Sequence, residues 1–129
     1  RSKSTTLGLA GLVIFALGYI VAAIFPCDPG CRPNEPSMSQ LIHNVGGFIG
    51  YLLAPFFLFA LTLAARSWPG AKWLVLFGST SSFFTLICLF TLFPSSPAPG
   101  LSQRLLETLV LSWSIFCGIY LVKHAESRL

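Results

Sequence analysis

Charged residues are scarce in this chain of 129 residues, where Asp, Glu, Lys and Arg together make up only 9%. A soluble domain usually contains about 25% charged residues. Hydrophobic residues make up 54% and the mean hydropathy is +0.78, so too little polar surface exists to cover a water-soluble globule of this size. A lipid bilayer is therefore the natural solvent of the chain, and we expect membrane lipids as its partners.

Sequence motifs typical of an enzyme or of a nucleic-acid-binding protein are also missing. The basic residues form no cluster interleaved with aromatic residues, which excludes nucleic acid as an expected partner. The sequence contains no G-x-S-x-G, no H-E-x-x-H and no P-loop pattern. We expect no cofactor, and the sequence alone leaves open whether the protein is an enzyme.

Four long apolar runs dominate what is present, at residues 8–25, 41–65, 73–93 and 101–122. Each has roughly the 18 residues that a helix needs to cross about 30 Å of hydrocarbon. Since lipid satisfies no backbone hydrogen bonds, such spans must be helices or the strands of a closed barrel, and these runs are too long and too poor in alternation for barrel strands. Short links containing Pro and Gly join them, which favours antiparallel neighbours. The prediction is an all-α integral membrane bundle of four antiparallel transmembrane helices in a single domain, residues 1–129.

The basic residues predict the orientation of this bundle in the cell membrane. One side holds only Arg32 and Arg104, whereas the other side holds six basic residues: Arg1, Lys3, Arg66, Lys72, Lys123 and Arg128. Cytoplasmic loops are the ones enriched in Lys and Arg. Both termini are therefore expected in the cytoplasm, and the first and third links are expected to face outward.

Small residues mark the faces on which the helices should pack. The second run has a four-residue ladder of Gly46, Gly50 and Ala54, which lets two helix backbones approach closely. The third run has a stripe of small and hydroxyl residues: Gly78, Ser81, Ser82, Thr85 and Cys88. Both patterns predict helix–helix contacts, and self-association of the chain through the glycine-bearing faces is left open.

The fourth run separates polar from apolar residues around the helix. At 100° per residue one half contains Gln103, Arg104, Glu107, Thr108, Ser112, Ser114 and Gly118. The other half contains Leu105, Leu106, Leu109, Trp113, Phe116 and Tyr120. The polar half is predicted to face the bundle interior. Arg104 and Glu107 are spaced to form an ion pair or to line a ligand site.

The stretch CDPGC in the first link allows several chemistries. Cys27 and Cys31 flank a strong turn signal, and a structural disulfide on an oxidising outer face is the simplest interpretation. A thiol oxidoreductase would use the same two cysteines. A metal site would use Cys27, Asp28, Cys31 and His43. Asp28 and His43 alone would suit an acid–base pair in a hydrolase.

Three motifs resemble the Domain of Unknown Function 998 family of polytopic membrane proteins. These are FPCDPGC after the first run, LIHNVGG at the start of the second, and PGLSQRLLE with a later Trp in the fourth. The resemblance places family positions on Pro26, Asp28, His43, Gly100, Gln103, Arg104 and Trp113. Members usually have about six spans, so two N-terminal helices are expected to be missing from a chain that begins with Arg. The family implies no reaction.

The function predicted from these observations is a membrane protein with a polar pocket at its outer face, which binds a lipid headgroup or a small anion. The expected lining is Asp28, His43, Gln103, Arg104, Glu107 and Trp113. The alternative is a membrane-embedded enzyme, either a metal-assisted hydrolase that uses Asp28 and His43 or a thiol oxidoreductase that uses Cys27 and Cys31.

Overall fold

The computed structural model describes residues 2–92 and 96–126, and the described chain contains four α-helices and no strand. The helices are α1 (Lys3–Ile24), α2 (Met38–Ala65), α3 (Lys72–Phe90) and α4 (Pro99–Glu126). All four are long and apolar enough to cross a membrane. The prediction of an all-helical, multi-pass membrane protein is confirmed. Arg1, Phe93 and Arg128, on which parts of the predictions depend, lie outside the described residues.

Local sequence signals explain where the helices begin. Ser2 and Ser37 are the N-cap residues of α1 and α2, and their hydroxyls accept the backbone N–H of Thr5 and Gln40. Such side-chain acceptors satisfy amides that the first helical turn leaves unpaired. Pro99 opens α4, in the first turn where its missing N–H costs nothing.

Glycines allow α1 and α2 to pack with their backbones close together. A Cβ atom added at Gly18 would lie 3.0 Å from the carbonyl oxygen of Gly46. Towards the other end of the pair, Gly8 faces Leu61. Residues that ascend in α1 thus meet residues that descend in α2, so the two helices run antiparallel. The predicted small-residue ladder in α2 does form this interface, and Ala54 is fully buried.

Helix α3 packs its predicted stripe of small and hydroxyl residues into the bundle, since all five residues of that stripe are buried. The Ser82 hydroxyl donates to the carbonyl of Pro55, inside α2, at 2.7 Å. Gly78 lies where an added Cβ would collide with the Thr62 hydroxyl and the Trp113 indole. This glycine is the point where α2, α3 and α4 converge.

Helix α4 turns a different face to the bundle than predicted. Its buried residues are Leu106, Val110, Trp113, Cys117 and Tyr120, whereas Arg104, Thr108 and Gly118 are exposed. The prediction that the polar half faces inward was wrong by more than a third of a turn at 100° per residue. Two observations give the reason. The hydroxyls of Thr108 and Ser114 bond to carbonyls of their own helix, so they need no interior partner. The space beside Gly78, which has no side chain, is instead filled by the large Trp113 side chain.

The bundle has two distinct ends. One, the cystine end, contains the first link (the cystine loop, residues 25–37) and the link between α3 and α4. The other, the opposite end, contains the link 66–71 between α2 and α3. There Tyr120 donates its hydroxyl to the Pro69 carbonyl at 2.5 Å and stacks on Trp68.

Candidate functional site

A disulfide joins Cys27 to Cys31 in the cystine loop. Between them Pro29–Cys31 forms a single 3₁₀ turn, in which Gly30 adopts a φ of +79°. Glycine takes this left-handed conformation without the steric cost that other residues meet. The simplest interpretation of the CDPGC stretch is the one that the structure adopts.

Asp28 closes the cystine loop onto the start of α2. Its carboxylate accepts the backbone N–H of Ser37 at 2.9 Å and the Ser37 hydroxyl at 2.7 Å. These two hydrogen bonds, the backbone one foremost, hold the pKa of the Asp28 carboxyl below its usual value. The backbone N–H of Asp28 donates to the side-chain oxygen of Gln40, which is buried. Asp28 therefore fastens a loop.

His43 has a separate structural partner. Its Nδ1 lies 3.0 Å from the carbonyl oxygen of Phe25, so this nitrogen carries the proton and donates it. No contact joins His43 to Asp28 within the described part of the chain. Over the same residues, no group of three or more His, Cys, Asp and Glu side chains comes together as a metal site would require. The predicted set of Cys27, Asp28, Cys31 and His43 is not assembled.

A polar network lies deeper in the bundle, between α2 and α4. The Tyr51 hydroxyl donates to the Glu107 carboxylate at 2.5 Å, and the Gln103 amide nitrogen lies 2.7 Å from the Tyr51 hydroxyl and 3.0 Å from the carboxylate. All three side chains are partly buried. Tyr51 is eight residues beyond His43, and Glu107 is eight residues beyond Pro99. At 1.5 Å per residue the network lies about 12 Å below the cystine end.

Helix α1 contributes a second tyrosine to this network. The Tyr19 side chain lies within electrostatic range of both Glu107 and Tyr51. The Phe15 ring meets the rings of Tyr19 and Tyr51 edge-on, with centroid distances of 5.2 and 6.1 Å. Such edge-to-face contacts are favourable and fix ring orientation. We call Tyr19, Tyr51, Gln103 and Glu107 the Glu107 cluster.

Arg104 and Trp113 lie apart from this cluster in different ways. Arg104 is exposed, one turn nearer the cystine end, and it forms no ion pair with Glu107 in the described chain. The predicted Arg104–Glu107 ion pair is therefore absent, because Glu107 bonds to Tyr51 and Gln103 instead. Trp113 is buried and donates its indole N–H to the carbonyl of Leu74 at 3.0 Å.

Of the six residues predicted to line a pocket, the structure brings only Gln103 and Glu107 into contact. Asp28 and His43 lie in and beside the cystine loop, and Trp113 faces the interior towards the opposite end. Sequence reasoning missed Tyr19, Tyr51 and the buried Gln40. A usable signal existed for the tyrosines, because each places a hydroxyl inside an otherwise apolar run and requires a partner there.

Comparison with known proteins gives one match. Residues 1–120 match the model of a family described as "Protein of unknown function (DUF998)". No curated protein and no solved structure matches the chain significantly. The matched segment contains all four apolar helices apart from the last residues of α4. The chain therefore belongs to the DUF998 family of proteins of unknown function, and it is a multi-pass membrane protein.

Proposed function

We propose that this protein binds a phospholipid headgroup at its cystine end, with Arg104 as the contact to the phosphate. The excess of basic residues at the opposite end favours an outward-facing cystine end. The lipid would then come from the outer leaflet. The proposal keeps the predicted headgroup function, with Arg104 as the contact to the anion, and leaves Asp28, His43 and Trp113 out of the site.

The observation that carries this proposal is the placement of Arg104. Its side chain is exposed near the membrane-facing start of α4 and has no ion pair or side-chain hydrogen bond within the described residues. A guanidinium group presents paired N–H donors that match phosphate oxygens. An arginine one or two turns inside a transmembrane helix extends its charged end to the headgroup layer.

The enzyme alternatives find less support in the arrangement of the same residues. The Asp28 carboxylate is occupied by Ser37, and His43 donates to a backbone carbonyl, so the two do not form an acid–base pair. Cys27 and Cys31 are joined to each other, and the other two cysteines are buried within α3 and α4. An integral membrane protein that binds a lipid headgroup accounts for the exposed Arg104, for which neither enzyme alternative has a role.

The test is phospholipid retention after purification in detergent. Arg104→Gln should reduce the phospholipid bound per chain by about tenfold, because a hydrogen bond to a charged group is worth about 1.5–3 kcal/mol. Arg32→Gln is the matched control, since Arg32 is also exposed at the cystine end but lies in the loop. Lipid phosphorus and native mass spectrometry give the readout.

Equal retention by the wild type, Arg104→Gln and Arg32→Gln would contradict the proposal. An equal loss in both variants would also contradict it, because that result indicates general attraction by positive charge at this end.

A further inference from the structure

Glu107 is the point at which three helices meet. Tyr51 from α2 and Gln103 from its own helix hydrogen-bond to it, and the Tyr19 side chain of α1 lies within electrostatic range. Helix α1 otherwise packs chiefly on α2. Glu107 is half-buried on the side of α4 near α1, where the Tyr19 side chain is exposed.

This carboxylate has no positive partner in the described chain. The groups that hydrogen-bond to it are neutral, one phenol and one amide, and the nearby phenol of Tyr19 is neutral too. Arg104 is exposed and forms no ion pair with it, and the remaining described Lys and Arg residues are at the ends of the helices or in the cystine loop: Lys3, Arg32, Arg66, Lys72 and Lys123. An ionised carboxylate within a membrane span is costly unless it is paired. The geometry therefore leaves one negative site to be matched by a cation from outside the chain.

The surroundings of Glu107 suit an organic ammonium group. Aromatic ring faces attract ammonium ions, and the exposed Tyr19 ring beside Glu107 can add this attraction to a direct charge–charge contact with the carboxylate. Phe15 packs edge-on against both tyrosine rings and so holds them in place. A hydrated metal ion gains less from contact with an aromatic ring than an ammonium ion does, which favours an ammonium ion as the bound cation.

Resting on the proposed function, we infer that the bound lipid carries an ammonium headgroup of the ethanolamine class. Arg104 would hold its phosphate and the Glu107 cluster its amine. Arg104 and Glu107 are three residues apart on α4, a rise of about 4.5 Å and a rotation of about 60°. The two backbone positions are therefore close enough for one headgroup to contact both side chains. The headgroup would lie along α4 with its amine towards Glu107 and the exposed Tyr19 ring.

Competition between two lipids tests this inference. The detergent-purified chain is equilibrated with equal amounts of phosphatidylethanolamine and phosphatidylglycerol that have identical acyl chains, and native mass spectrometry counts each lipid bound. We expect about a tenfold preference for the ethanolamine lipid, the equivalent of one added ion pair of about 1.4 kcal/mol. Glu107→Gln should bring the ratio close to one, while the amide still accepts the Tyr51 hydrogen bond.

Two further variants make the result interpretable. Glu35→Gln removes an exposed carboxylate from the cystine loop and should leave the preference unchanged. Tyr19→Leu removes one aromatic wall at an exposed position and should reduce the preference severalfold, and it serves if Glu107→Gln does not fold. Arg104→Gln should reduce binding of both lipids and leave the ratio in place.

The outcomes separate this inference from the proposed function. Phospholipid binding that depends on Arg104 but shows no ethanolamine preference overturns the inference and leaves the proposed function standing. A preference that survives Glu107→Gln overturns the inference too, because the amine is then recognised elsewhere. Displacement of the lipid by an equal concentration of soluble glycerophosphoethanolamine would show a site for a soluble amine, which also overturns it. If phospholipid binding does not depend on Arg104, the proposed function itself is contradicted.

Discussion

In the Glu107 cluster, polar side chains bond to one another, whereas towards the opposite end Trp113 and Tyr120 bond to backbone carbonyls. Trp113 and Tyr120 donate to the carbonyls of Leu74 and Pro69. In contrast, Tyr51, Gln103 and Glu107 form a network of side chains. A carbonyl in a helix or turn is fixed in place, so bonds to it lock the packing. A carboxylate among side chains retains acceptor capacity and charge. The opposite end is therefore built for stability, and the Glu107 cluster retains the capacity to bind.

The largest expected effect breaks the packed region. Gly78→Leu would place a side chain against Thr62 and Trp113, so we expect the free energy of unfolding to fall by about 3 kcal/mol or more. Gly118→Leu is the control, because Gly118 lies in α4 with open space around its Cβ position. Its stability should stay within about 0.5 kcal/mol of the wild type. Denaturation by SDS in mixed micelles measures both variants. Equal losses would show that α3 and α4 are not packed at Gly78.

The second prediction removes the covalent link of the cystine end. Cys27→Ser combined with Cys31→Ser should lower the free energy of unfolding by about 2 kcal/mol, the chain-entropy value for so short a loop. Treatment of the wild type with a reductant should give the same loss, and the double variant should not respond to the reductant. An unchanged melting temperature in both cases would mean that the hydrogen bonds of Asp28 hold the loop without the disulfide.

The third prediction compares one hydrogen bond from each region. Trp113→Phe should cost about 1–3 kcal/mol, because it leaves a cavity and removes the donor to the Leu74 carbonyl. Tyr51→Phe should cost only about 0.6 kcal/mol, a typical value for a side-chain hydrogen bond inside a membrane protein. The same detergent unfolding assay gives both numbers. A larger loss of stability for Tyr51→Phe than for Trp113→Phe would show that the Glu107 cluster, and not the opposite end, contributes more to the stability of the fold.

The smallest effect concerns pH and the cystine loop. The folded pKa of Asp28 lies below its unfolded value of about 3.9, so its stabilising contribution is present above that pH and is lost as the pH falls through the folded pKa. Melting temperatures recorded from pH 7 to pH 3 should therefore drop less for Asp28→Asn than for the wild type. Glu35→Gln should behave like the wild type, because Glu35 is exposed and makes no hydrogen bond in the described structure.

The sequence was sufficient to predict the helices and two of the packing faces. Long apolar runs leave a chain in lipid no alternative to helices, and the small residues of α2 and α3 mark where backbones meet. The face of α4 was not predictable in the same way. Hydroxyl residues such as Thr108 and Ser114 satisfy themselves within one helix, so their pattern does not indicate the interior.

The Glu107 cluster was predicted only in part for a related reason. Gln103 and Glu107 are neighbours on one helix and share a visible polar pattern. Tyr19 and Tyr51 join them from helices that are far away in the sequence, and no local pattern encodes that meeting. Charge spacing instead favoured a pair between Arg104 and Glu107, which the hydrogen bonds from Tyr51 and Gln103 replace.

Pro55 creates a point in the middle of α2 at which the helix can bend. A proline has no amide proton, so the carbonyl one turn earlier, which belongs to Tyr51, loses its usual partner in the helix. Bending stiffness is lowest at such a turn. Helix α1 packs on both sides of Pro55, since Gly8 faces Leu61 and Gly50 faces Phe15, and Ser82 ties Pro55 itself to α3. A bend at Pro55 would therefore have to part α1 from one half of α2, so the packing of α1 keeps the Tyr51 hydroxyl at a fixed distance from Glu107.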